Sequence, residues 1–75
     1  MGRRYFLLQI LETNGEQEYI TPYTLLVDDN ESMELCVSLV IGNWYGGETP
    51  QGITVELYHH YEITESEYKI LSRYI

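Results

Sequence analysis

A chain of 75 residues, 44% of them hydrophobic and 13% aromatic, makes one small domain over 1–75 with a real core and excludes a disordered polypeptide. Twelve acidic residues against four basic ones leave a net charge of −8, which repels nucleic acid and anionic membranes and favours a basic partner or plain solubility. The single cysteine, Cys36, leaves no intrachain disulfide and fits a reducing compartment.

The first residues, Arg3-Arg4-Tyr5-Phe6-Leu7, open like a twin-arginine export signal. The apolar stretch is short, however, broken by Gln9 and stopped by Glu12, and no small-residue cleavage site follows. No run approaches the ~20 apolar residues of a membrane span. The expected location is the cytoplasm.

Residues 4–12 and 17–27 flank the stretch TNGE. Asn14-Gly15 is a strong hairpin signal, because both residues accept the positive φ of a type I′ turn. That turn would set Thr13 opposite Glu16, Ile10 opposite Tyr19 and Phe6 opposite Tyr23. One face then carries Phe6, Leu8, Ile10, Tyr19, Tyr23, Leu25 and Val27, a core face. The other carries Tyr5, Leu7, Gln9, Leu11, Glu18, Ile20, Thr24 and Leu26, which is too apolar for plain solvent. Pro22 cannot donate to a ladder, so the second strand belongs at a sheet edge.

Residues 28–45 carry two signals. The run DDNES offers capping residues and a carboxylate-rich first turn. Met33, Cys36, Val37, Val40 and Trp44 then fall on one helical stripe, with Glu31, Glu34 and Ser38 opposite. Leu35, Val37, Leu39 and Ile41 also alternate as a strand would, and valine and isoleucine favour strand. The cap chemistry favours the helix. YGGETPQG ends the element as a loop.

Residues 53–63, ITVELYHHYEI, alternate. Ile53, Val55, Leu57, His59, Tyr61 and Ile63 are expected on one face, with Thr54, Glu56, Tyr58, His60 and Glu62 on the other. Thr64-Glu65-Ser66-Glu67 is a capping box, with Ile63 and Tyr68 at the staple positions behind it. Glu65 and Lys69 form an i,i+4 pair on the same helix. The expected fold is α+β in the order β-β-α-β-α, with a three-stranded antiparallel sheet of order 2-1-3 packed against helices. The alternative is a four-stranded meander plus a C-terminal helix.

LYHHYEI is the one stretch that looks like chemistry. Side chains alternate along a strand, so His59 and His60 point to opposite faces and cannot share a metal. His59 reads as a histidine at the core edge and His60 as a solvated strand residue. No third and fourth metal ligand stands at a recognisable spacing. There is also no phosphate-binding glycine loop, nucleophile elbow or zinc-protease motif. Cys36 sits in an apolar run with no base at a recognisable spacing, as a small buried hydrophobe would. The expectation is no metal, no cofactor and no catalysis.

The acids cluster: Asp28, Asp29, Glu31 and Glu34; Glu62, Glu65 and Glu67; Glu12, Glu16 and Glu18. Same-face strand residues stand ~7 Å apart, close to the phosphate spacing of a nucleic-acid strand. Eight tyrosines add flat amphipathic contact area. In size and charge the chain resembles small acidic phage proteins that block restriction or CRISPR systems, a likeness of composition that covers no motif. The pattern points to an inhibitor that occupies the basic nucleic-acid-binding surface of a partner protein. Asp28, Asp29, Glu31, Glu34, Glu62, Glu65 and Glu67 would be its contacts, with no direct binding to nucleic acid or membrane. The alternative is a homodimeric assembly module built on Tyr5, Leu7, Leu11, Ile20 and Leu26 of the outer hairpin face.

Overall fold

The computed structural model describes residues 2–75, in the element order β1 (Arg4–Asn14), β2 (Gln17–Val27), α1 (Met33–Gly42), β3 (Ile53–Ile63) and α2 (Glu65–Leu71). The strands form one sheet in the order β2-β1-β3, and β1 is antiparallel to both neighbours. This is the α+β arrangement expected of the sequence. Residues 33–42 are helical, so the four-stranded meander does not form.

Capping decides that helix against its β-branched residues. The Asp28 carbonyl accepts from the Glu31 N–H, and the Glu31 carboxylate accepts from the Asp28 N–H, both at 3.0 Å. This closed turn delivers Ser32, whose Oγ accepts from the Leu35 N–H at 3.4 Å. At α2 the capping box is complete: Thr64 Oγ1 accepts from the Glu67 N–H, and the Glu67 carboxylate accepts from the Thr64 N–H.

The hairpin register differs from the sequence expectation by one residue on each strand. Asn14 pairs with Gln17 and Phe6 with Leu25, leaving Gly15 and Glu16 as the two turn residues. Gly15 takes a φ of +65° and Asn14 stays in the strand, so a single glycine meets the demand that a type I′ turn would have placed on both. Both strands shift together, so the two faces keep their expected membership.

The third strand departs further. Gln9 pairs with His59, but Ile10 pairs with Leu57, so Tyr58 is an extra residue with no partner on β1. The bulge reverses the faces beyond it. His60 stands opposite Leu8 and Glu62 opposite Phe6, on the core face. His59, Tyr61 and Ile63 lie opposite Gln9, Leu7 and Tyr5, on the outer face. The expected placement of these five residues is therefore inverted. Pro22 also pairs with Gln9, so both sheet edges are irregular at the same level.

The core lies between α1 and one sheet face. Phe6, Leu8, Ile10, Leu25, Val27 and Val37 are buried, with Met33, Cys36, Val40, Ile41, Trp44, Val55 and Leu57 packed around them. α2 sits on the opposite face. There Tyr68 stacks on Tyr5 at 5.1 Å, and the Thr24 and Ser72 hydroxyls meet at 2.9 Å.

Candidate functional site

Two of the three acidic clusters meet at one end of the sheet, and the third, Glu12, Glu16 and Glu18, lies at the opposite, hairpin end. β2 and β3 each run antiparallel to β1, so the residues following both strands emerge beside the start of β1. Asp28, Asp29, Glu31 and Glu34 follow β2, while Glu62, Glu65 and Glu67 close β3 and open α2. Arg3 and Arg4 stand between them.

Several of these carboxylates have partners within the chain. Arg4 forks onto Glu62, with Nη2 to Oε1 at 2.8 Å and Nε to Oε2 at 3.1 Å, while its guanidinium lies over the Phe6 ring at 5.0 Å. The Arg4 hydrogen bonds hold the Glu62 carboxyl below the usual carboxylate range, and Glu62 in turn raises Arg4. Arg3 Nε reaches Asp28 Oδ1 at 3.1 Å, and Lys69 reaches Glu65 at 3.2 Å. Glu31 closes the turn before α1, and Glu67 completes the cap of α2. Among the described residues, seven carboxylates thus gather with three basic side chains at this pole. Glu34 stands exposed in the first turn of α1, and Asp29 is exposed beside Asp28.

The five residues expected to mediate self-association all lie on the outer face. α2 roofs only one end of it: seven helical residues span about 10 Å, against roughly 37 Å for an eleven-residue strand. Tyr5, beneath Tyr68, is half-buried, as are Leu7, Leu11 and Leu26. Ile20 remains 48% exposed.

The histidines point to opposite faces, but with exchanged roles. His60 sits edge-on to the core Phe6 at 6.3 Å, whereas His59 lies on the outer face between Tyr58 and Tyr61. The bulge also parts Glu56, on the outer face opposite Leu11, from His60 and Glu62. Among the described residues no three His, Cys, Asp or Glu side chains converge as metal ligands. Desolvation raises the Cys36 thiol, and Glu31 and Asp28 raise it further, so it stays protonated. No helix among the described residues is long and apolar enough to cross a membrane.

Sequence reasoning missed one constellation. Glu12 lies on the core face, opposite Tyr19 and Val55. Its Oε1 accepts from the Trp44 indole N–H at 2.6 Å, and the Tyr45 hydroxyl is raised first by hydrogen bonding to Glu12, then by its own desolvation and by the Glu12 charge. Trp44 packs edge-on to Tyr23 at 5.7 Å. Beside it runs an open groove of about 500 Å³, lined by Tyr23, Leu39, Val40, Asn43 and Trp44. A signal was present in the sequence: a carboxylate in phase with Phe6, Leu8 and Ile10 needs a donor, and the one tryptophan carries one.

Comparison of the chain with family models, with curated proteins and with solved structures gives no match.

Proposed function

We propose that this is a non-enzymatic binding protein that occupies a basic, nucleic-acid-binding surface of a partner protein, as an anti-defence inhibitor would. The observation that carries this reading is the acidic pole. Two clusters separated by about thirty residues in sequence are gathered at one end of the sheet by its strand order. The Arg3, Arg4 and Lys69 ion pairs fix three carboxylates in place, and the pole keeps an excess of negative charge. Fixed carboxylates can substitute for phosphates on a basic surface at lower ordering cost than mobile ones.

The test is competition. A basic partner captured by pull-down should release this protein when nucleic acid is added, and association should slow as salt rises, because the field is screened over ~8 Å at physiological ionic strength. Lysine at positions 28, 29 and 34 together should abolish capture, while leaving the Glu31 turn and the Glu67 cap intact. Simultaneous binding of nucleic acid and this protein, at salt-independent affinity, would refute the reading. A homodimer through the outer face is a second reading, favoured by the bare stretch around Ile20 and Tyr61. Loss of a dimer on Ile20→Glu would be its signature.

A further inference from the structure

α1 is unusual for a surface helix. Of its residues MELCVSLVIG only Glu34 is charged, and apolar side chains surround nearly its whole circumference. A helix apolar all round is ordinarily covered on all sides. Here only Val37 is buried, while Leu35 and Leu39, one turn apart, are 67% and 65% exposed. These two leucines form a ridge beside the groove that Leu39, Val40, Asn43 and Trp44 make with Tyr23 of β2.

The side-chain nitrogen donors lining that groove are already engaged within the chain. Asn43 Nδ2 donates to the Leu39 carbonyl at 2.9 Å, and the Trp44 indole donates to Glu12. With Leu39, Val40 and the rings of Tyr23 and Trp44 on its walls, the groove suits a mainly apolar occupant. It carries no charge that would select the basic partner proposed for the acidic pole.

We infer that the α1 face is a homodimer interface, with the Leu35–Leu39 ridge of one copy seated in the Tyr23–Trp44 groove of the other. A twofold contact requires one patch that is complementary to itself, and a ridge lying next to a groove on the same helix meets that requirement. Antiparallel helices across the twofold place the two Glu34 carboxylates at opposite ends, so the contact buries no like-charge pair. The exposed parts of Tyr23, Leu35 and Leu39 with the groove between them amount to at most roughly 500 Å² per copy, so two copies bury no more than about 1,000 Å², the small end of the range for a specific interface. The dimer is accordingly weak, in the micromolar range.

Sedimentation of the intact chain from micromolar to near-millimolar concentration tests this, with the emission of Trp44, the only tryptophan, as a local reporter. Mass should rise from monomer to dimer, and Trp44 emission should shift in step. Two chains of net charge −8 repel each other, so added salt should tighten the dimer, the opposite of its effect on the acidic pole. Leu35→Gln with Leu39→Gln should keep the chain monomeric. So should Ser38→Arg, which adds bulk to the exposed ridge without removing any core atom. Leu11→Glu and Ile20→Glu, on the outer face, should leave the dimer intact. A monomer throughout the range overturns the inference. So does a dimer that survives both ridge variants, or one that an outer-face variant dissociates.

Discussion

Replacing Glu12 by alanine should cost the fold about 2 kcal/mol. Glu12 and Trp44 share a hydrogen bond of 2.6 Å in a partly buried setting, and hydrogen bonds to charged groups contribute ~1.5–3 kcal/mol. Alanine leaves the indole N–H without its acceptor and loosens Trp44 against Tyr23. For a domain of this size each kcal/mol moves Tm by ~4–8 °C, so Glu12→Ala should lower it by about 8–16 °C. Glu12→Gln keeps an acceptor oxygen and loses the charge, and should cost about half as much. Thermal melts followed by circular dichroism and by Trp44 emission read both effects. The Tyr45 hydroxyl should also fall back toward its ordinary pKa, as seen by NMR titration. A double-mutant cycle isolates the bond: on a Trp44→Phe background the Glu12→Ala cost should shrink by ~0.5–3 kcal/mol. A Glu12→Ala melt within ~2 °C of wild type, or strictly additive variants, would show that Glu12 does not anchor this end of the fold.

Acid titration offers another check. The folded Glu62 carboxyl is depressed by Arg4, so its stabilisation is complete above the ordinary carboxylate pKa and is lost as pH falls through the folded value. Glu62→Gln should flatten the stability profile in that acid window and leave its shape near neutrality unchanged. Deleting Tyr58 should remove the bulge while both flanks keep their register, with the Phe6–His60 contact still visible as a nuclear Overhauser effect. Loss of that contact, with His60 on the outer face, would refute the bulge assignment.

Signals that are local in sequence carried most of this fold. The capping box at Thr64 and the turn before Ser32 each satisfy backbone groups with side chains a few residues away, so their chemistry is readable in order. Phe6, Leu8 and Ile10 declare the core face by alternation. The hairpin register was less legible, because Asn14-Gly15 serves a turn in which both residues are central or one in which only Gly15 is. The bulge left no mark at all. Tyrosine and histidine tolerate either face, so Tyr58-His59-His60-Tyr61 reads the same with or without a slip. The acidic clusters were visible, but their meeting at one pole depends on strand order, and the Arg4–Glu62 pair spans most of the chain. The groove was hidden for a related reason. Leu35 and Leu39 fit a helix stripe or a strand, and nothing in sequence says that the helix leaves them uncovered.

The irregularities opposite Gln9 bear on how the chain behaves when crowded. β2 and β3 are both edge strands, each eleven residues long, and a flat edge of that length would template the growth of cross-β fibrils. Pro22 divides β2 into Gln17–Thr21 and Tyr23–Val27, and Tyr58 divides β3 into Ile53–Leu57 and His59–Ile63. Each uninterrupted run is five residues, shorter than the six or seven that steric zippers use. A chain rich in tyrosine and β-branched residues can therefore accumulate to high concentration while neither edge offers a template long enough to seed amyloid.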